Sequence, residues 1–282
     1  MTDKPLLAIE DLKVNFPTRK GLVEAVRGIS FSLGREKLGI VGESGSGKSM
    51  TGRAILRLVQ KPGIVTAKRM EFDGIDLQRV SEAEMRELRG QRISMVMQDP
   101  KFSLNPVMRV GEQVAEAYRV HQKVTPAEAR RRALDMLKAV RIRDPERVFR
   151  AYPHEVSGGM GQRIMIAMML IPDPDLLIAD EPTSALDGTV QLQVLAILDD
   201  LVTQRGMGLI FISHDLNLVS SFCDRIVIMY AGRVMEVCDA RNLEAAQHPY
   251  TRGLLNCLPR MDGDGSSLPV LQRDPAWLEH GL

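Results

Sequence analysis

The chain has 282 residues, 44% of them hydrophobic and 26% charged, and 37 Lys and Arg against 36 Asp and Glu leave a net charge of +1. These are ordinary globular proportions, enough for one large domain or two small ones with a real core. The near balance of charge gives no argument for a nucleic-acid or membrane-surface footprint.

In chain order, Leu12, Val14 and Phe16 alternate with polar residues, as do Ile29, Phe31 and Leu33. Both runs predict half-buried strands, with residues 17–21 as the turn between them. Lys37 to Val41 predicts a short strand that enters a glycine-rich loop. A helical pattern follows from Lys48 to Val59 and is stopped by Pro62-Gly63. Ser81 with Glu84, and Thr125 with Glu128, have capping-box spacing, and Pro126 takes a first helical position. The stretch from Val110 to Val140 is helical in pattern throughout. Ile93–Met97, Leu176–Ala179, Gly208–Ser213 and Arg225–Tyr230 are strand-like, the last three separated by helix-length segments. That order predicts a parallel sheet covered by helices, with the first strands in a small antiparallel side sheet. Ala231-Gly232 predicts a hairpin turn, and the Asp-Gly-Asp-Gly-Ser-Ser run after Met261 a flexible linker.

The N-terminus carries Asp3 and Glu10 without a long apolar core, so no signal peptide is expected. No apolar stretch approaches the roughly 20 residues that span a bilayer. Work at a membrane would need other chains to cross it. Cys223, Cys238 and Cys257 lie far apart with no CxxC pair, and they read as reduced thiols rather than a disulfide frame or metal site.

The chemistry concentrates in a few runs. Residues 42–49, Gly-Glu-Ser-Gly-Ser-Gly-Lys-Ser, fit GxxxxGK[ST]. Glycines at Gly42, Gly45 and Gly47, with Ser44 between them, let backbone N–H groups wrap phosphate oxygens, and the following helix turns its positive end to the same anion. In such a loop Lys48 reaches the β- and γ-phosphates and Ser49 binds Mg²⁺. Asp180 ends a buried-looking strand, which places its carboxylate near that metal. Glu181 comes next and would face the attacking water. His214 lies at the carboxyl end of a strand, where ligands gather in parallel sheets. Ser157-Gly158-Gly159 opens a helix that continues to about Leu170, and so forms a second anion-binding N-terminus. Phe16 has two readings of equal weight, an adenine-stacking ring or a core aromatic of a strand.

Ser157-Gly158-Gly159 before Leu176–Asp180-Glu181, with Pro182-Thr183-Ser184-Ala185-Leu186-Asp187 after it, resembles the ATP-binding cassette (ABC) family from about Leu7 to Pro259. The resemblance implies a P-loop α/β fold with a RecA-like parallel core, an antiparallel β subdomain and a helical signature subdomain. It places the ATPase domain at 6–260, the helical part at about 103–159 and a tail at 261–282. It also implies that Ser157, Gly158 and Gly159 touch ATP held by a second ATPase subunit, that Asp187 belongs to a loop crossing that interface, and that His214 contacts the γ-phosphate. Gln98 matches the family's metal- and water-contacting glutamine. The family form has Gln where this chain has Met160, and arginine or serine where it has Gly161, which bears on the strength of that helix.

Three further runs narrow the branch: Gln98-Asp99-Pro100 with Ser103-Leu104-Asn105-Pro106, Tyr152-Pro153-His154-Glu155, and His248-Pro249-Tyr250-Thr251. They resemble ATPase subunits of bacterial dipeptide, oligopeptide and nickel importers. The resemblance implies ATP and Mg²⁺, transmembrane permease subunits, an identical or related second ATPase subunit, and an extracytoplasmic solute-binding protein reached through the permeases, with no nucleic acid. It implies a peripheral position on the cytoplasmic face of the bacterial cell membrane. Many members carry a cysteine-containing C-terminal segment with iron–sulfur-like spacing. This chain has Cys257 alone there, so no cluster is expected. The runner-up is a non-transport ABC ATPase of DNA repair or translation. Its first form needs a long coiled-coil insertion between Lys48 and Ser157, its second usually two cassettes in one chain, and neither is present. A small P-loop kinase would have no use for Ser157-Gly158-Gly159.

Overall fold

The alternation that starts at Leu7 builds the first two strands. β1 (Leu7–Thr18) and β2 (Gly21–Leu33) run antiparallel, with Leu12 opposite Ile29 and Phe16 opposite Val23. The buried set changes along β1 from Leu7 and Ile9 to Leu12 and Val14. A register shift between Ile9 and Leu12, with Asp11 at φ 50°, makes that change possible. One extra residue in a strand exchanges its two faces, so the core stays apolar on both sides of the bulge.

The computed structural model describes residues 4–98, 103–184, 186–257, 271, 273–278 and 281. The chain divides into two compact units, residues 1–79 with 210–282, and residues 80–209. In the first unit the antiparallel sheet has five strands in the order β2-β1-β5-β6, with β4 also on β1. The added strands β4 (Ile64–Thr66), β5 (Arg69–Phe72) and β6 (Ile75–Asp76) are two to four residues long, too short for alternation to mark them in the sequence.

The same unit holds the strand order β11-β10-β3-β9. β3 (Lys37–Gly42) pairs in parallel with β10 (Arg225–Tyr230). β11 (Arg233–Asp239) returns antiparallel through the expected Ala231-Gly232 turn, where both residues have positive φ, 46° and 84°. β9 spans Gly208–Ser213, and its last four residues belong to this unit. Leu209–Ile212 and Ile226–Met229 are all 0% exposed. Such unbroken apolar runs suit parallel strands covered on both faces.

The helices of this unit are α1 (Lys48–Ile55), α8 (Leu216–Phe222) and α9 (Pro249–Asn256), numbered in chain order with those of the second unit. α1 is shorter than the predicted run to Val59. The chain leaves it at Arg57, which has φ 53° and returns its N–H to the Ala54 carbonyl at 2.9 Å.

The second unit contains α2 (Glu82–Gln91), β7 (Ile93–Val96), α3 (Val110–His121), α4 (Pro126–Ala139), α5 (Pro145–Arg150), α6 (Gly158–Leu170), β8 (Leu176–Asp180) and α7 (Gly188–Arg205). β7 and β8 are parallel. The Ser81–Glu84 capping box forms in full. At α4 only half of the expected box forms. Thr125 accepts from the Glu128 N–H, but the Glu128 carboxylate goes to Arg131 at 2.6 and 3.1 Å. The stretch predicted as helical from Val110 to Val140 is two helices, because Pro126 has no N–H to continue one and instead starts another. The Asp-Gly-Asp-Gly-Ser-Ser run lies outside the described residues. No helix among the described residues is long and apolar enough to cross a membrane.

Candidate functional site

In the first unit β3 delivers the chain into residues 42–47, and α1 receives it at Lys48. Gly47 sits at φ 98° as the N-cap of α1, and a Cβ there would meet the Ala25 carbonyl at 2.6 Å. Gly42 is constrained by closeness instead: its Cβ would fall 2.1 Å from the Met229 carbonyl. Side chains at either position would displace the backbone, so the loop's cradle shape depends on glycine. The Ser46 N–H donates to the Glu43 carbonyl at 3.1 Å, and the Gly232 N–H ties the Ser46 carbonyl to the β10–β11 turn at 3.0 Å.

Lys48 is 5% exposed. Its ammonium curls back over the loop and donates to the carbonyls of Gly42 at 2.7 Å and Glu43 at 2.9 Å. A buried ammonium held by carbonyls at the mouth of a loop is a fixed positive charge with its donors directed at that loop. Ser44 and Gly45 are exposed on the loop and Ser49 is half-buried in the first turn of α1. His214 is exposed just past β9, the strand beside β3, and Asp215 caps α8 by accepting the Leu218 N–H at 3.0 Å. The structure therefore places the loop and His214 at the carboxyl ends of neighbouring strands. Phe16 is half-buried on the antiparallel sheet, with its ring 2.8 Å from where a Cβ on Gly63 would lie.

The second unit gathers the acidic residues. Asp180, 4% exposed, ends β8. Glu181 follows in the left-handed region at φ 47°. Non-glycine residues hold that conformation only when neighbours enforce it. Here both the N–H and hydroxyl of Ser184 donate to the Glu181 carbonyl, at 3.3 and 3.2 Å. Gln98 reaches the same residue: its Nε2 donates to the Glu181 carboxylate at 3.2 Å. The structure thus brings together Gln98 and Glu181, which lie 83 residues apart in sequence. Asp99, Pro100 and Ala185 fall outside the described residues.

Ser157 caps α6 by accepting the Met160 N–H at 3.3 Å, and Ser157 and Gly158 are exposed. Gly159 packs against α7, where a Cβ would meet Val190 Cγ1 at 2.6 Å. Asp187 caps that helix through the Val190 N–H at 3.0 Å. Sequence reasoning missed Arg163, which donates to the Gly159 carbonyl at 3.2 Å and the Arg141 carbonyl at 3.1 Å. Burial, with Arg143 nearby, holds its guanidinium below the ordinary arginine range. Nothing in the local motif signals this, because Arg141 is brought in by the helix pair α4–α5.

The residues fit ATP and a hard divalent cation. In the first unit the loop is a cradle that a Cβ would fill, Lys48 supplies a buried cation, and Ser49 carries a hydroxyl; in the second unit, taken by itself, Asp180 carries a carboxylate, and both are oxygen donors of the kind Mg²⁺ prefers. The strand, glycine-dependent loop and helix of the first unit define a P-loop α/β nucleotide-binding fold.

The profile described as "ABC transporter" matches residues 26–184. The chain is 49% identical over 270 residues to a protein of Sinorhizobium fredii named "Probable peptide ABC transporter ATP-binding protein y4tR", covering 94% of this chain and 81% of that one. It is 46% identical over 272 residues to the oligopeptide transport ATP-binding protein OppD of Escherichia coli, covering 96% and 80%. With the dipeptide transport ATP-binding protein DppD of the same organism it shares 47% over 268 residues, covering 94% and 82%. Among solved structures, a dimeric post-hydrolysis state of the ATP-binding cassette MJ0796 bound to ADP and Pi superimposes with a TM-score of 0.74 at 26% identity, covering 84% of this chain and 99% of that one. This chain belongs to the ABC transporter family, and within it to the ATP-binding subunits.

Proposed function

We propose that this chain is the ATP-hydrolysing subunit of a bacterial importer that takes up peptides. The observation that carries the reading is the 46–49% identity, over nearly the whole chain, with ATP-binding proteins named for peptide, oligopeptide and dipeptide transport. The same names leave no support for a DNA-repair or translation role.

In this reading residues 6–260 form the cassette, about 103–159 its helical part, and 261–282 a tail. Gly42, Ser44, Gly45 and Gly47 present backbone N–H groups to the phosphates of ATP, and Lys48 carries the facing charge. Ser49, Asp180 and Gln98 hold Mg²⁺, which when bound neutralises charge on the phosphate oxygens. Glu181 orients the attacking water and accepts its proton, and His214 contacts the γ-phosphate. Phe16 is the candidate to stack on the adenine face, its other reading being a core aromatic of β1. Ser157, Gly158, Gly159 and Asp187 serve nucleotide held by a second ATPase subunit. Closure of the pair on ATP and reopening after hydrolysis pass to permease subunits, which receive solute from an extracytoplasmic binding protein. The chain sits at the cytoplasmic face of the membrane, held by those permeases.

A tagged full-length chain recovered from its own membranes tests this. It co-purifies with permease subunits, and cells lacking the gene lose uptake of a labelled dipeptide that wild-type Lys48 restores and Lys48→Ala does not. Recovery without any membrane subunit, together with unaltered peptide uptake in the deletion strain, contradicts it.

A further inference from the structure

The C-terminal segment reaches the phosphate-binding loop. α9 opens on His248-Pro249-Tyr250-Thr251, and Tyr250 is 0% exposed. Its ring lies against Tyr230, the last residue of β10, with centroids 4.7 Å apart. Trp277 closes over both. It meets Tyr230 edge-on at 6.1 Å and Tyr250 at 5.7 Å, and its third ring neighbour is His248 at 6.0 Å. Edge-to-face aromatic contacts at these separations are favourable beyond the area they bury.

The backbone next to Trp277 is held as well. The Leu278 carbonyl accepts from Arg233 Nε at 3.1 Å and Arg27 Nη1 at 3.3 Å. At the other end, Leu271 approaches α9 so closely that a Cβ on Gly253 would meet its Cδ1 at 2.2 Å. Between these anchors, Arg273 Nη2 lies 2.9 Å from Glu43 Oε2. Glu43 is the second residue of the 42–49 loop, and its carbonyl accepts from the Lys48 ammonium at 2.9 Å.

A carboxylate on a loop built to receive a polyanion repels that anion. We propose that Arg273 is a positioning residue of the phosphate-binding loop: it neutralises and holds Glu43, and the aromatic clasp of Trp277 on Tyr230 and Tyr250 presents it there. The proposal rests on residues 42–49 being the phosphate-binding loop. Arg273 does not touch the nucleotide in this account. It governs how tightly the loop accepts phosphate, and so ties the C-terminal segment to nucleotide affinity.

The test is equilibrium ADP binding by calorimetry on the full-length chain, without Mg²⁺, at low and at high salt. Arg273→Ala weakens binding about two- to fivefold at low salt, the range open to an exposed ion pair. Arg273→Lys binds as wild type. The double variant Arg273→Ala with Glu43→Gln returns to wild-type affinity, because the charge that needed neutralising is gone. High salt closes the gap, since a pair this exposed is screened. Trp277→Ala weakens binding as Arg273→Ala does, and combining the two adds nothing. Unchanged affinity in Arg273→Ala, or a loss that Glu43→Gln leaves unrepaired, overturns the proposal. Lys48→Ala is the separate control. Lost binding there with an unaffected Arg273→Ala sinks the clasp alone, whereas normal binding in Lys48→Ala sinks the loop reading beneath it.

Discussion

At the scale of single residues, Glu181 combines two features that a strand end need not have. It holds a left-handed backbone, and its carboxylate accepts from Gln98. The proposed water-orienting role needs a fixed carboxylate: the Ser184 bonds to the main-chain carbonyl hold the Glu181 backbone, and the Gln98 amide holds the carboxylate itself. Glu181→Gln keeps shape and loses the proton acceptor. It binds ATP as wild type and hydrolyses it about 10²- to 10⁴-fold more slowly, the range for removing a general base. Single-turnover hydrolysis beside equilibrium binding checks this, and turnover within a few-fold of wild type would reassign Glu181 to a solvated strand end.

The placement of the continuous motifs was legible because their spacing is local, while the roles given to them belong to the proposed function. Lys48, Ser49, Asp180 and Ser157 each stand at the loop end, strand end or helix start that the run of neighbours predicts. Arg163, Arg273 and Trp277 were not, since their partners lie 22, 230 and 47 residues away at Arg141, Glu43 and Tyr230. No pattern in one sequence announces such a pair. The Gln98–Glu181 contact stands between the two cases, for both residues were singled out but their hydrogen bond was not.

Among the elements, legibility followed burial. β8, β9 and β10 are near-continuous apolar runs and were placed within a residue of their ends. The bulge in β1 and the short strands β4 to β6 were missed, because a face exchange or a run of two to four residues leaves no period to detect. The packing of α6 on α7 gives a prediction at this scale. Gly159→Ala pushes a methyl group into Val190 Cγ1 and moves the first turn of α6, which Ser157 caps. Hydrolysis by the assembled complex falls about tenfold or more, while the isolated chain binds ATP unchanged. Pairing it with Val190→Ala, which removes the obstructing methyl groups, restores most of the loss. Full hydrolysis in the single variant would mean that the Ser157–Gly159 turn has no part in the assembled site.

For the molecule as a whole, the chain carries a glycine-dependent loop ahead of α1 and an exposed Ser157-Gly158 turn at the start of a capped helix, and in the proposed function these are two phosphate-facing elements of different kinds. A single bound nucleotide has use for one loop, so the second element points to a partner, and the family relationship supplies both a partner ATPase and permeases. The family and the cassette were legible in the sequence because they reside in short motifs. Cargo was not, because in the proposed function other chains bind it. The most direct measurement is ATP hydrolysis by the complete complex in lipid vesicles, with and without a peptide-loaded binding protein. The account predicts that peptide-loaded binding protein stimulates hydrolysis several-fold, and that Lys48→Ala abolishes both the basal and the stimulated rate. Hydrolysis that ignores the peptide-loaded protein, or that survives Lys48→Ala, would contradict it.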